Sequence, residues 1–590
     1  MGDPVSSSKA ESFAGLENKV ESRGACHPKD PGHDRQDITV SKLGPDLLGS
    51  QNHRVPPGEP SPGSTVRRKT GSRKDQLERL FVDTVTHFLA QRENCVPRQQ
   101  NGLCLAQREI LRYLGHTMKP TLYGEVADRV LSLIESGTFR AGDKLPSIRT
   151  LSGRFSVSVN TVKEAYGLLE TQRFLEARPQ SGYYVRRAVP PLPKPSGDLA
   201  GKPAFDPREV GMCRVYGEVT RDGHNLAGAS LAIALPDPDL LPAARLNSAF
   251  QTAWKTMGRS MMDYALSPGL PILREQIAQE ALQGGTVLSP DEIVITSGTS
   301  EALTLVILSL CRAGDTIAVE APTYFNFLSL IRELGIKVLE IPTSPDEGVN
   351  LDILAWALDA HPVKAFVTIA NFNNPLGYRM TDERKKALVD VCESHGVPLI
   401  EDDIYGDLPF VGPRPRTCQS FDRTGNVILV SGFSKTLASG YRIGWVVPGR
   451  LYAKIDKLKS LTSVATATPT QWAVGRFLET GGYQRHLRTL RQRLADQVGA
   501  MAETIARTFP EGTRVSRPAG GFVLWVELPD DQDTTVLYEK ALAESIVFSP
   551  GEVFSASGKF RNALRLSAGI WNEGTARAVA RIGRLAGGPG

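Results

Sequence analysis

Between about Asn225 and Ala586, short apolar runs of strand length alternate with stretches of helical periodicity: EIVITSG, TIAVEAP, KVLEIP, KAFVTIA, VPLIEDD, NVILVSGF and RIGWVVP. A strand that is apolar on both faces must be covered on both faces, and the intervening helices supply that cover. The pattern therefore predicts an α/β domain over 225–590 built on a mostly parallel sheet.

The rest of the chain divides around that domain. Residues 1–117 begin as a Ser-, Gly-, Pro- and charge-rich stretch that cannot bury enough apolar surface to fold. Apolar residues return at near-helical spacing only between Gln76 and Leu114, so 1–117 is read as a disordered or weakly helical extension. A compact block, 118–187, precedes a linker region, 188–224, whose AVPPLPKPSGDLAGKP segment should be extended and semi-rigid. No run of about eighteen apolar residues and no secretory leader is present, which predicts a cytoplasmic protein without a membrane partner. The seven cysteines form no Cys-x-x-Cys pair and have no His cluster beside them, so no metal site is expected and the thiols read as reduced. A net charge of +5 over 590 residues is too mild to identify a partner, so its distribution must decide.

In the compact block, Val126, Val130, Leu133 and Ile134 share one helical face, and FRAGDKLP turns the chain. Ser147 is placed to cap a second helix that buries Ile148, Leu151 and Phe155, and after a short turn a third helix buries Val162, Ala165 and Leu169. Two short helices so closely joined make a helix-turn-helix, and FLEARPQSGYYV reads as a two-stranded wing. The third helix then offers Asn160, Thr161 and Lys163 near its N-terminus, where side chains can reach base edges. Residues 119–187 hold eleven Lys and Arg against seven Asp and Glu, an excess suited to phosphate contacts.

The segment LPSIRTLSGRFSVSVNTVKEAYGLLETQRFLEARPQSGYYV resembles the winged helix of the GntR family of regulators. The resemblance implies a DNA-contacting set of Arg149, Ser158, Asn160, Thr161, Lys163, Arg178 and Gly182. One departure is Val159, where many relatives carry an arginine, and the burden shifts to Arg149 and Lys163. MKPTLYGEVADRVL also looks like an ordinary N-terminus for that family, which marks Met118 as a candidate start.

The segment SGFSKTLASGYRIGW sets Lys435 among small residues, with Arg442 seven positions later. A lysine held this way can form a Schiff base with an aldehyde cofactor. It resembles the lysine loop of fold-type I aminotransferases (class I/II), and further motifs follow the same resemblance in chain order. That likeness implies pyridoxal 5'-phosphate (PLP). Asp402 of EDDIY would bond the ring nitrogen, Tyr405 and Asn374 of NFNNPLG the ring's phenolic oxygen, and Tyr324 of APTYFNF would stack on the ring. Gly298, Thr299 and Ser300 of SGTSEALTLVIL would open a helix at the phosphate, joined by Ser434 and Arg442. Tyr264 of MDYALSPGL matches a tyrosine that reaches a neighbouring subunit's phosphate, which implies a homodimer. Arg565 of NALRLSAG, with Asn374, matches the grip on an amino acid's α-carboxylate. Lys435, Asp402 and Tyr405 form the expected catalytic set. Gly432 departs from relatives that carry Ser or Thr there, and Ser431 is the neighbouring hydroxyl offered in compensation. Singly, each residue has a plainer reading as a surface ion pair, a core aromatic or a turn, but chance does not place all of them in this order.

The order of reader, linker and aminotransferase-like domain resembles the MocR subfamily of GntR regulators. It implies a transcription regulator whose partners are operator DNA and a small amino-compound effector received at PLP. The alternative reading is an active aminotransferase with an accessory DNA-binding domain. A third reading, a DNA-bound protein with a vestigial cofactor site, sits poorly with an intact residue set.

Overall fold

The computed structural model describes residues 122–587, except 136–137, 172–173, 179, 187–191, 196–205, 212–215, 218, 220 and 222–227. The expectations for the 1–117 extension and for Met118 lie outside these residues, as does most of the linker region.

The small domain consists of α1 (Leu122–Glu135), α2 (Ile148–Phe155) and α3 (Val159–Thr171), followed by β1 (Leu175–Arg178) and β2 (Gly182–Val185). Ser147 caps α2 by accepting the Thr150 amide at 3.1 Å, as expected of a serine one residue ahead of an apolar face. Ser156, left-handed with φ 54°, ends α2, and the Ser158 hydroxyl starts α3 by accepting the Thr161 amide at 3.0 Å. Val126, Val130, Leu151, Val162, Ala165 and Leu169 are buried together, each contributing about 1–3 kcal/mol through apolar burial. Leu133, Ile134, Ile148 and Phe155 lie half-buried at the edge of this core. Tyr166 joins it unforeseen, its hydroxyl donating to the Pro146 carbonyl at 2.8 Å. The wing pairs Leu175 with Val185 and Arg178 with Gly182, whose φ of +116° at the turn favours glycine.

In the large domain, β3 (Ala229–Ser230), α4 (Ala243–Met257) and α5 (Pro271–Ala281) lead into the main sheet. There follow β4 (Val294–Thr296), α6 (Thr299–Leu310), β5 (Thr316–Ala321), α7 (Phe325–Glu333), β6 (Lys337–Ser344), β7 (Gly348–Val349) and α8 (Leu351–Ala360). Next come β8 (Val363–Thr368), α9 (Asp382–Ser394), β9 (Leu399–Asp402), β10 (Val427–Gly432), β11 (Gly444–Val447), α10 (Tyr452–Thr462) and α11 (Thr468–Glu479). The strand order is β4-β11-β10-β9-β8-β5-β6-β7. The β10–β9, β9–β8, β8–β5 and β5–β6 pairs are parallel. Strand β11 runs against both of its neighbours. The connection from Phe433 to Ile443 is too short for a parallel crossover, so the chain turns straight back beside β10 and keeps Lys435 at the carboxyl end of that strand.

A smaller lobe closes the chain with α12 (Gly482–Thr508), β12 (Arg514–Val515), β13 (Val523–Glu527), α13 (Thr534–Leu542), β14 (Ile546–Val547), β15 (Ser549–Pro550), β16 (Ala563–Ser567) and α14 (Glu573–Ala586). Its sheet is antiparallel, in the order β12-β13-β16-β15, and α12 and α14 pack against each other. Arg565 stands mid-strand on β16, opposite Trp525 and Ser549, and is therefore fixed by the sheet rather than by a loop.

Candidate functional site

Open α/β sheets receive ligands beyond the carboxyl ends of their parallel strands, where side chains from several strand ends converge. Here β4 delivers Gly298, β5 delivers Tyr324, β8 delivers Asn374, β9 ends on Asp402, and β10 leads to Ser434 and Lys435. Thr299, Ser300, Tyr324, Asn374, Asp402, Tyr405, Ser434, Lys435 and Arg442 all line one cavity of about 320 Å³.

The Lys435 ammonium donates to the Ala234 carbonyl at 2.8 Å and lies 6.0 Å from the centre of the Tyr405 ring. Burial, reinforced by the Arg565 charge and opposed by Asp402, pushes Lys435 down to about 8. The Asp402 carboxyl accepts the Ile404 amide at 3.2 Å, yet burial raises it to about 7. A buried carboxylate in this state gains from a cationic partner. Asn374 Nδ2 is 3.4 Å from the Tyr405 hydroxyl, so both reach one point on the cavity wall. Burial lifts Tyr405 above the ordinary phenol range and Tyr324 to about 12, so both hydroxyls remain protonated. The Tyr324 hydroxyl accepts from Asn326 Nδ2 at 2.7 Å.

Gly298 caps α6, leaving the first amides of that helix free at its positive end. Arg442 Nη2 donates to the Ser297 carbonyl at 3.1 Å, and Nη1 stands 3.5 Å from the Ser434 hydroxyl. Gly298 has φ +83°, and a Cβ there would lie 2.1 Å from Arg442 Nη2. Only glycine lets this cationic cradle close over the helix end.

Arg565 is 1% exposed. Its Nη2 donates to Ser549 Oγ at 2.8 Å and also to the Ala232 carbonyl, while Nη1 is 3.5 Å from the Asn374 side-chain oxygen. Its Nε is buried with no partner. Burial, against the pull of Tyr405 and Tyr324, lowers Arg565 to about 10, so it remains cationic at neutral pH. A buried guanidinium with an unused donor suits a planar anion.

One expectation needs adjustment. Ser431 cannot compensate for Gly432, because successive side chains on β10 face opposite ways and the Ser431 hydroxyl donates to the Asp403 carbonyl at 3.0 Å. A Cβ at Gly432 would lie 3.3 Å from Thr299 Cγ2, so Thr299 occupies that side of the cradle. Tyr264, expected to reach a neighbouring subunit's phosphate, does not line its own chain's cavity and is 78% exposed, a placement open to a second subunit. Asn326, Ser439 and Ser549 escaped the sequence reading. Asn326 and Ser439 lie inside the quoted motifs, whereas Ser549 meets Arg565 only through strand pairing.

In the reader, Arg149, Asn160, Lys163, Arg178 and Gly182 are exposed. Ser158 is also exposed, but its hydroxyl caps α3 and bonds the half-buried Thr161 hydroxyl at 2.8 Å. Arg178 lies 4.2 Å over the Tyr184 ring and pairs with Glu176 at 2.5 Å. Among the described residues, no cluster of His, Cys, Asp and Glu could hold a metal, and no helix is long and apolar enough to cross a membrane.

Known families match both domains. The family described as aminotransferase class I and II matches residues 235–582, and bacterial regulatory proteins of the gntR family match 122–185. The uncharacterized HTH-type transcriptional regulator YjiR of Escherichia coli K12 is 37% identical over 470 residues, covering 78% of this chain and 98% of that protein. A second such regulator of Escherichia coli K12, YdcR, is 35% identical over 464 residues, again covering 78% and 98%. Among solved structures, the α-aminoadipate aminotransferase LysN of Thermus thermophilus, complexed with N-(5'-phosphopyridoxyl)-L-leucine, aligns with TM-score 0.59 at 29% identity. That alignment covers 63% of this chain and 95% of LysN.

Proposed function

This chain belongs to the aminotransferase class I and II family and, through its gntR-family reader, to the HTH-type regulators of MocR-like architecture; on that premise we propose that it binds PLP and regulates transcription in response to an amino-compound effector. The observation that carries the reading is Arg565, a buried guanidinium with an unpartnered Nε beside the cavity that Lys435 lines, in a chain that also bears a winged helix-turn-helix.

The cavity residues fit PLP. The cradle of Gly298, Thr299, Ser300, Ser434 and Arg442 would take a phosphate, and the Asp402 carboxylate would hold a ring N–H. Tyr405 and Asn374 would hold the ring oxygen, and Tyr324 would lie against the ring. When bound, PLP supplies an aldehyde that condenses with amines and a ring that draws electrons. Lys435, pushed down to about 8 by burial, would attach it through Nζ and, once displaced, could carry a proton at that atom. Arg565 and Asn374 would orient an effector's carboxylate. An effector that prefers closed lobes to open ones can shift the protein only by that preference.

On the DNA side, Arg149 and Lys163 would contact phosphate or bases, with Asn160, Arg178 and Gly182 alongside. Ser158 and Thr161 would contribute chiefly by fixing the start of α3. A homodimer would present two readers. Its support is an exposed apolar strip of Met262, Tyr264, Leu266, Leu461 and Val464, brought together where Leu266 bridges Ala465.

Operator footprinting with and without amines tests the proposal. The second reading, an active aminotransferase, draws support from the same Lys435, Asp402 and Arg565, and turnover separates the two.

A further inference from the structure

We propose that helix α12 couples the cofactor cavity to the DNA reader, and that the face formed by its C-terminal half with residues 516–519 is the reader's docking surface. This inference rests on the regulator reading above.

The reader meets this face at the root of its wing. The Arg186 amide donates to the Phe174 carbonyl at 3.0 Å, which places the two residues side by side. The Arg186 guanidinium forks onto Glu503 of α12, with Nη1 3.2 Å from Oε1 and Nη2 3.3 Å from Oε2. Phe174 lines a cavity of about 670 Å³ whose walls include Val498 and Ala502 of α12, Pro518, Leu524 and Phe410. The chain leaving the reader is fastened close by. The Pro193 carbonyl accepts the Val515 amide at 2.9 Å, the Leu192 carbonyl accepts Arg517 Nη2 at 2.9 Å, and Lys194 pairs with Asp346 at 2.6 Å. The ion pair, the Phe174 side chain at the cavity wall and the linker therefore all meet the large domain.

The other end of α12 touches the lysine loop. His486 Nε2 lies 2.7 Å from the carbonyl of Thr436, the residue after Lys435, and the Tyr483 hydroxyl bonds Thr436 Oγ1 at 2.9 Å and Asp407 at 2.7 Å. From His486 to Glu503 the helix runs unbroken for roughly 25 Å at 1.5 Å per residue. Its inner face, including Leu487, Leu490, Leu494, Val498 and Met501, is buried, so it moves as one body with the core it packs against. The docking cavity also spans both lobes, since Phe410 comes from the large lobe and Leu524 from the small one. Closing the lobes must change the surface on which Phe174 rests. A change at Thr436 or Arg565 thus reaches the reader through one rigid helix and one shared seam.

The experiment uses full-length, PLP-loaded protein as wild type, Glu503→Arg, Arg186→Glu and the double variant. A partly exposed ion pair contributes little when simply deleted, so reversal is used to set like charges against each other. Hydrogen exchange of amides 174–186 reads docking, and operator affinity with each common L-amino acid supplied singly reads coupling. Each single variant should exchange about tenfold faster there and show less than about a twofold effector response, and the double variant should recover both. Unchanged exchange in the single variants overturns the docking surface. Faster exchange with a full effector response overturns the coupling role of α12. No response even in wild type counts against the regulator reading itself, while the exchange data still decide docking.

Discussion

Arg565 of the small lobe and Asn374 of the large lobe meet across the cavity, Nη1 standing 3.5 Å from the amide oxygen. The contact joins the lobes through the two residues that would share an effector's carboxylate. Replacing Arg565 by Ala should leave cofactor absorbance and basal operator binding intact and abolish the response to amino acids. Absorbance titration beside footprinting checks this. A surviving response would move carboxylate recognition elsewhere.

Covalent cofactor attachment should depend on Lys435. The Lys435→Ala protein should retain no cofactor after borohydride treatment, read by peptide mass spectrometry. Because burial and Arg565 lower Lys435 to about 8, its neutral, nucleophilic form should rise from about a tenth of molecules at pH 7 to half near pH 8. Covalent loading of the apoprotein should accelerate with pH and level off above about 8 to 9. A midpoint at the ordinary lysine value of 10.5 would contradict the buried environment described.

Gly298 is the position at which a methyl group should do most damage to the cradle. With φ +83° and a would-be Cβ 2.1 Å from Arg442 Nη2, Gly298→Ala must shift Arg442 or strain the backbone. PLP affinity should fall tenfold or more, corresponding to about 1.4 kcal/mol, with Lys435 still able to react. Equal affinity in equilibrium dialysis would remove Arg442 from the phosphate site.

Much of this was legible in the sequence, and the reasons differ by element. Apolar runs such as TIAVEAP and NVILVSGF became wholly buried strands because burial on both faces removes the polar alternation of a half-exposed strand, and the charged exception Glu320 is held by hydrogen bonds from Thr368, Asn373 and Tyr378. The Lys435, Asp402 and Arg565 motifs were legible because they follow the aminotransferase resemblance in chain order, whereas any one of them alone reads equally well as a surface ion pair. Strand β11 was legible as a strand but not as antiparallel, since direction depends on the length of the lysine loop rather than on composition. Ser431 misled because β10 sends neighbouring side chains to opposite faces. The Arg186–Glu503 pair was invisible, since 317 residues separate partners that only tertiary packing joins.

DNA binding should be electrostatic in part and borne by the exposed cations of α2 and α3. Arg149→Ala or Lys163→Ala should weaken operator binding, with cofactor absorbance unchanged. If the lost contact is to phosphate, the slope of log affinity against log salt should fall by about 1. Filter binding across a salt series checks this, and unaltered affinity in both variants would place the DNA-facing surface elsewhere.

The central claim, that the aminotransferase-like domain serves as a receptor controlling the reader, is tested most directly by one paired measurement on the PLP-loaded protein. Operator footprints are recorded with and without candidate amines, alongside steady-state transamination with keto-acid acceptors. The account predicts a footprint that changes with at least one amine and turnover well below the roughly 1–1000 per second of dedicated enzymes. A footprint indifferent to every amine and to PLP, together with turnover inside that range, would contradict it and assign the chain to catalysis.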